Sequence, residues 1–375
     1  MPRKVTSKST RSELTDRAAQ LSEFFNADPD GWGQGAAVLE RVRAVPTMWP
    51  QINLASRIGG WPIQRIGLIH GPSAHGKTSF SHGLGLSFLQ RGHIYGFIDA
   101  ELTTPESWLQ TLMDQQSRNP AFRAMRPTSY EQAALGVRKL CESVIEGREA
   151  GKLPADTAGV IVVDSLRKLQ PERLLAKLEK EEGGIDGASG RAAQMKAAIN
   201  AQWMDELAPL AYKANFGIVL ISREYDRSNP QPGQEQFVVA GGKAVNFDSS
   251  LTARIVRSEW VHDGSGDNKR VVGERHAVQI RKSKIGALDG KITTTYFHTS
   301  NGTLTPEGFD LPRDLLEMAE EIGAIKKDGA WYSYKGERIG QGASQVVKRL
   351  HEDAALLGEL RVACETGEVP EKAEG

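Results

Sequence analysis

The sequence is short of cysteine, of net charge and of long apolar runs, and each shortage removes a class of protein. Its two cysteines, Cys141 and Cys364, lie far apart and match no metal-ligand or redox spacing. They read as two reduced thiols, in keeping with a reducing compartment. Lysine plus arginine and aspartate plus glutamate both total 47, so no global field advertises a polyanionic partner and any nucleic-acid surface has to be local. No run approaches the ~18 consecutive apolar residues of a membrane span. The opening MPRKVTSKSTRSELTDR has no apolar core of the kind a signal peptide needs. The expectation is a cytoplasmic protein with no membrane partner.

What is present is ordinary for a globular chain: 39% hydrophobic and 25% charged residues over a length of 375. That length exceeds one small core and suggests one large domain with one or two small ones. Arg3, Lys4, Lys8, Arg11 and Arg17 among serines and threonines read as a basic arm, a solvated tail with a nucleic-acid contact as the sharper alternative. TDRAAQLSEFF follows with an N-cap and apolar residues at helical spacing, and DPDGWGQG ends it.

From about residue 62 the texture alternates. IGLIHG (66–71), IYGFIDA (94–100), GVIVVDS (159–165) and FGIVLIS (216–222) are nearly continuous apolar runs of strand length, separated by amphipathic stretches such as YEQAALGVRKLCESVIEG. Runs apolar on both faces, spaced by helices, predict a mostly parallel sheet covered on both sides, an α/β fold. Two long polar, Gly-containing stretches follow the third and fourth runs, near 180–196 and 224–243. Loops of that length in a compact domain are usually functional or disordered. Beyond residue 300, LPRDLLEMAEEIGAI, GAWYSYKGERIGQG and ASQVVKRLHEDAALLGELRVACETG predict a small separate α+β domain. The expected division is 1–45, a basic arm and helical lead-in; 46–300, the core; and 301–375, the small domain and tail.

GPSAHGKTS, residues 71–79, fits G-x-x-x-x-G-K-[ST], and it follows an apolar strand and opens a helix, the context that gives such a string its weight. Gly71 and Gly76 let the backbone of Pro72, Ser73, Ala74 and His75 curl so that N–H groups face phosphates at the positive end of a helix. Lys77 can reach the β and γ phosphates and the Thr78 hydroxyl can ligate Mg²⁺, with Ser79 as the next helix residue. His75 occupies a variable position and is expected to point outward, with contact to the nucleotide or a neighbouring subunit as the sharper alternative. Asp164, at the end of VIVVD, can orient the metal, with Ser165 beside it. Glu101, in IDAE, would lie at the carboxyl edge of the sheet, where a carboxylate can polarise an attacking water. Spacing alone leaves that reading even with Asp99 and Glu101 merely capping the next segment.

Together GGWPIQRIGLIHGPSAHGKTS, YGFIDAE, GVIVVDSLRKLQP, AGGKAVNF with SLTARIVR, QIRKSKIGA and the distant GAWYSYKGERIGQG resemble the bacterial RecA recombinase family, as a divergent member. The likeness runs over about residues 45–350 with gaps, and its last segment is specific, because it belongs to the family's small C-terminal domain. The resemblance implies a RecA-type P-loop ATPase core. It implies a DNA-dependent ATPase that uses ATP and Mg²⁺, forms helical filaments on single-stranded DNA and pairs it with homologous duplex DNA, associated with the nucleoid. Loader or single-strand-binding proteins are the further partners it suggests. Carried over by position, Glu101 resembles the water-activating carboxylate, and Lys282 and Lys284 resemble the lysine pair that reaches the neighbouring subunit's γ phosphate. The two long loops resemble the DNA-contacting loops, with Arg191 and Lys196 in the first and Arg227, Phe237, Val238, Gly241, Gly242 and Lys243 in the second. Cations there would neutralise phosphates and apolar side chains would wedge between bases.

The departures are as informative. Where the family carries a glutamine that senses the γ phosphate and relays it to the second DNA loop, this chain has Arg223, which cannot accept a hydrogen bond and brings a full charge. The family's adenine-side aromatic is matched only by Trp108, shifted by a residue. The competing readings are a RecA-like ATP-binding regulator without strand exchange, for which Arg223 speaks, and a ring-forming helicase, against which GAWYSYKGERIGQG speaks.

Overall fold

The structure is a computed structural model that describes residues 15–17, 19–20, 41–175, 189–227, 229, 231–232, 236–264, 268–286, 290–297 and 307–367. Arg3, Lys4, Lys8 and Arg11 of the basic arm, the first part of the expected loop near 180–196 and the last residues of the tail lie outside them. The chain divides into two units, Met1–Val42 and Arg43–Gly375. Within the first, residues 15–17 and 19–20 are helical, inside the segment whose N-cap and spacing predict a helix.

The second unit opens with β1 (Ala44–Val45), α1 (Pro50–Ala55) and β2 (Trp61–Pro62). Then β3 (Arg65–Gly71), α2 (Lys77–Leu89), β4 (Ile94–Asp99), α3 (Glu106–Met113), β5 (Phe122–Met125), α4 (Tyr130–Glu149), β6 (Gly159–Asp164), α5 (Ser189–Ala214) and β7 (Phe216–Asp226) alternate strand and helix. β8 (Phe237–Val239), α6 (Lys243–Asp248), β9 (Leu251–Asp263), β10 (Arg270–Ser283), β11 (Lys291–Phe297) and β12 (Gly308–Phe309) follow. The main sheet runs β12-β11-β10-β9-β3-β7-β6-β4-β5, with β8 attached to β7. From β9 to β5 the neighbours are parallel, and β10, β11 and β12 extend the sheet antiparallel.

The four apolar runs predicted as strands are β3, β4, β6 and β7, and their hydrophobicity on both faces has a direct cause. Along β6, Val160 and Val162 belong to one buried cluster, with Phe80 and Leu84 of α2. Ile161 and Val163 belong to the other, with Val137 of α4 and Leu207 of α5. The pleat sends alternate side chains to opposite faces, so a strand covered on both sides has no position left for a polar residue.

Three features depart from the sequence expectation. β5 is an added parallel edge strand that FRAM conceals, since only its ends are half-buried. The antiparallel extension β9–β12 carries alternating rather than continuous apolar residues. The expected loop near 224–243 is regular at its ends and in part between them: β7 continues to Asp226, β8 pairs back onto it with Glu224 opposite Val239, and α6 begins at Lys243.

Toward the C-terminus, α7 (Leu311–Glu321), the antiparallel sheet β13 (Ile325–Asp328), β14 (Trp331–Tyr334) and β15 (Glu337–Gln341), α8 (Ala343–Glu352) and α9 (Ala354–Thr366) enclose a core of their own. Leu315, Ile325, Tyr332, Val346 and Leu360 meet there. Asp310 caps α7, its carboxylate accepting from the Arg313 N–H at 3.3 Å, and Pro312 sits in the first turn, where a missing N–H costs nothing.

Candidate active site

The ends of β3, β7, β6 and β4 lie side by side: Gly71 is level with Arg223 and Asp99 with Asp164. This carboxyl edge is where open α/β sheets bind ligands. The loop leaving β3 needs glycine at both ends. A Cβ on Gly71 would fall 2.1 Å from the Ile255 carbonyl oxygen of β9, and one on Gly76, whose φ is +80°, would fall 2.3 Å from His276 Nε2. Gly76 then opens α2, so Lys77 and Thr78 stand in its first turn.

A cavity of about 430 Å³ lies over this loop, lined by residues 73–79 together with Glu101, Asp164, Ser165 and Arg223. Its size suits a small-molecule site. Lys77 is buried, and its ammonium donates to the Pro72 carbonyl at 2.5 Å. Burial holds its pKa below the ordinary lysine value, while Asp164 pulls the other way. The Thr78 hydroxyl donates to Asp164 Oδ2 at 2.5 Å. Asp164 is 4% exposed. Its burial, helped by the charge of Glu101 and opposed by the Thr78 hydrogen bond, pushes its pKa up to about 6. A hydroxyl and a carboxylate held together are oxygen donors that fit Mg²⁺, which takes few protein ligands and completes its shell with water and substrate phosphates. Among the described residues no cluster of three or more His, Cys, Asp or Glu side chains forms an all-protein metal cage.

Glu101 reaches the same cavity from the turn after β4. Its Oε1 accepts from the Ser165 hydroxyl at 2.9 Å and from Arg223 Nη2 at 3.2 Å. Asp99, the alternative partner in that turn, is a capping group: its carboxylate accepts from the N–H groups of Thr103 and Thr104 and pairs with Arg126. The two carboxylates that spacing could not separate are thus separated by their neighbours.

His75 does not point outward as the sequence suggested. Its Nδ1 accepts from the Arg257 N–H at 2.9 Å, so the loop is tied to β9. Arg257 also donates from its guanidinium to the Ala74 carbonyl and to Glu274, and lies over the Trp260 ring, 3.8 Å from its centre. His276 Nε2 lies 3.0 Å from Glu274 Oε1. Burial alone would raise the Glu274 carboxyl, but hydrogen bonds with His276 and Arg257 outweigh it and bring it down to about 2. Arg257, Glu274 and His276 form a brace beneath the loop that sequence reading missed. The available signal was charge at inward positions of alternating strands. Trp108 stands one residue away from the cavity: its indole donates to the Tyr296 hydroxyl at 3.2 Å, and Tyr296 is the cross-strand partner of the cavity-lining Glu274.

Lys282 and Lys284 do not line this cavity. The Lys282 ammonium donates to the carbonyls of Asn246 and Phe247, at 2.5 and 2.6 Å, where the end of α6 exposes them. Lys284 lies 5.0 Å from the centre of the Phe247 ring, and that side chain is 72% exposed.

Of the expected DNA-contacting residues, Arg191 is in the first turn of α5 and its side chain is outside the described residues. Lys196 donates to the Arg167 carbonyl at 2.6 Å. In the hairpin the pleat divides the apolar trio: Phe237 faces inward against Arg254, at 4.5 Å, and His70, Val239 packs on the core, and Val238 faces solvent. The Arg227 N–H donates to the Gln236 carbonyl across the hairpin, and Lys243 is exposed at the start of α6. Gly241 and Gly242 have φ of +110° and +92°, and the Gly241 carbonyl accepts from Asn200 of α5 at 2.8 Å, so the two segments meet.

Comparison with known proteins agrees with this architecture. Residues 33–299 match the family model of the RecA N-terminal domain and residues 313–364 that of the RecA C-terminal domain. The chain is 30% identical to the protein RecA of Chlorobaculum parvum over 88% of this chain and 84% of that one. It is 28% identical to that of Chlorobium limicola over the same shares. Against the RecA of Chloroherpeton thalassium it is 27% identical over 99% of this chain and 96% of the relative.

Proposed function

The chain belongs to the RecA family, and from that premise we propose that it is an ATP-driven recombinase. It assembles on single-stranded DNA, hydrolyses ATP at a rate set by that DNA, and pairs the bound strand with a homologous duplex. The observation that carries the reading is the convergence of Lys77, Thr78, Glu101 and Asp164 on one cavity at the sheet's carboxyl edge.

In this reading the backbone N–H groups of the loop and the start of α2 hold the phosphates. Lys77 leaves the Pro72 carbonyl for the β and γ phosphates, and Thr78 and Asp164 would hold Mg²⁺, which would neutralise charge on the triphosphate. Glu101 accepts a proton from water as the water oxygen bonds to the γ phosphorus and the bond from that phosphorus to the leaving ADP oxygen breaks. Val238, Arg227, Lys243 and Lys196 of α5 form the DNA face, with contacts to phosphates and bases that tolerate any sequence. No helix among the described residues is long and apolar enough to cross a membrane.

The test is ATP turnover with and without single-stranded DNA, with the same samples imaged by negative stain and assayed for strand exchange. DNA-stimulated turnover, helical filaments and exchanged product support the recombinase. Closed rings point to a helicase, and nucleotide binding without DNA stimulation points to a regulator.

Because Lys282 and Lys284 stand outside their own cavity, they act in this reading on the neighbouring subunit's γ phosphate. Lys282→Ala is expected to lower DNA-stimulated turnover by about 10²-fold, the scale for loss of one charge-stabilising donor, and to leave ADP binding by the isolated subunit unchanged. Equal loss of binding by the isolated subunit removes the cross-subunit role.

A further inference from the structure

The least expected contact in the cavity is the ion pair between Arg223 and Glu101. We propose that Arg223 is a positioning residue that restrains Glu101 until the β7–β8 hairpin is loaded with DNA, so that hydrolysis is withheld from the unassembled subunit. The proposal rests on the functional reading above and names a regulatory element within the same site.

Three observations carry it. Arg223 Nη2 lies 3.2 Å from Glu101 Oε1, and both side chains are largely buried, at 27% and 19% exposure. The same oxygen also accepts from the Ser165 hydroxyl. A carboxylate held at one oxygen by two donors, one of them a permanent cation, is fixed in orientation at that oxygen and is hindered from turning it toward a water. Arg223 also stands close enough to Lys77 to oppose its charge. Asp164 is the larger counter-charge of Lys77 and Glu101 the ion-pair partner of Arg223, so the Arg223–Glu101 pair offsets part of this repulsion while no triphosphate is present.

The backbone of Arg223 belongs to the hairpin. Its carbonyl accepts from the Ala240 N–H at 2.9 Å, the Ser222 hydroxyl donates to the Ala240 carbonyl at 2.6 Å, and the next residue, Glu224, pairs with Val239. Glu224 is in turn fixed by Arg254 and His70, and Arg254 and His70 pack on Phe237. A displacement of the hairpin strand on binding DNA is thereby delivered to the root of the Arg223 side chain, about one residue from its contact with Glu101. The restraint has a route for release that does not pass through the phosphate loop.

The experiment is steady-state ATP turnover by Arg223→Gln, with and without single-stranded DNA, resolved into kcat and KM. Without DNA, kcat is expected to rise roughly ten-fold over wild type, the scale of one broken ion pair in a partly buried site. Because Arg223 lines the nucleotide cavity, KM for ATP is free to shift and kcat is the readout, and the ratio of DNA-bound to DNA-free kcat should fall in proportion to the rise. The double variant Glu101→Gln/Arg223→Gln should show no such rise, since the gain passes through Glu101; a structural role of Arg223 would not make its effect depend on Glu101. ADP binding is measured first on each variant as a check on folding. Should Arg223→Gln not bind ADP, Arg223→Lys carries the same comparison, because a single ammonium lacks the guanidinium's planar fork. A DNA-free kcat at or below the wild-type value overturns the proposal. The functional reading is judged separately, by wild-type turnover with DNA. If wild type is inactive even then and Arg223→Gln is inactive too, both fall.

Discussion

Replacing Glu101 with glutamine is expected to lower ATP turnover by about 10²–10⁴-fold, the range attributed to a positioned general base, while ADP and ATP still bind. The expectation follows from geometry. Glu101 lines the cavity from the turn after β4, and its side-chain hydrogen bonds go to Ser165 and Arg223 rather than to the phosphate loop or α2. Glutamine preserves length and planarity and offers an oxygen to both donors, so the fold of the turn is retained and only the capacity to take a proton is lost. The informative measurement is a single-turnover assay at saturating ATP in the DNA-bound state, beside equilibrium binding of a fluorescent ADP. A variant that binds normally and turns over at the wild-type rate removes Glu101 from its role. A variant that loses binding assigns it to nucleotide affinity instead. The DNA-free rate is a poorer gauge, because the Arg223 restraint already suppresses it in the wild type.

How far the sequence could be read depended on how local the cause was. The phosphate loop was legible because its chemistry is confined to consecutive residues: glycines at 71 and 76, a cation at 77, a hydroxyl at 78. The central strands were legible because burial on both faces leaves no polar position, as Val160 to Val163 demonstrate from two different cores. Asp164 was placed correctly at a strand end, but its unusual proton affinity arises from burial by neighbours distant in the chain, which no spacing reveals. Glu101 and Asp99 looked equivalent in sequence and were told apart by their partners: Thr103, Thr104 and Arg126 for Asp99, and Ser165 and Arg223, 64 and 122 positions removed, for Glu101. The brace of Arg257, Glu274 and His276 went unread for the same reason: each is a single charged or polar residue in an alternating strand, and only the antiparallel return of β10 on β9 brings them together. His75 was expected to face outward because it holds a variable position in a loop that meets phosphate through backbone N–H groups; its partner is an N–H 182 residues away. Across residues 224–243 the prolines and glycines hid a hairpin, because β7 turns polar in its last residues, Arg223 to Asp226, and β8 is only the three residues Phe237–Val239.

Replacing Asp164 with asparagine is expected to move stability and activity in opposite directions. The folded protein holds the Asp164 carboxyl at about 6, above its ordinary value near 4. A group whose folded pKa is raised favours folding when protonated. Its contribution is therefore full below the unfolded value and is lost as pH rises toward 6, after which the metal-free protein bears a constant cost. Asparagine imitates the protonated acid at every pH while its oxygen can still accept from Thr78. The variant should accordingly gain about 2–3 kcal/mol over wild type at pH 7.5 in chelator. The difference between the two stability curves should shrink as pH falls from about 6 to 4. Taking the difference matters because Glu224 and Glu274, both held down to about 2, contribute the opposite slope at lower pH in both proteins and cancel. Mg²⁺ reverses the sign: it needs the charged carboxylate, so its binding repays in wild type what burial costs and gives asparagine much less. Hydrolysis by the variant should fall by about 10²-fold or more, as for removal of other charge-stabilising groups, and wild-type affinity for Mg²⁺ with ATP should weaken as pH drops through 6. Chemical denaturation from pH 4 to 8, with chelator and with Mg²⁺ and ADP, measures both signs at once. A flat difference in chelator would mean that Asp164 is not strained by its burial, and unimpaired hydrolysis by the variant would take it out of the metal site.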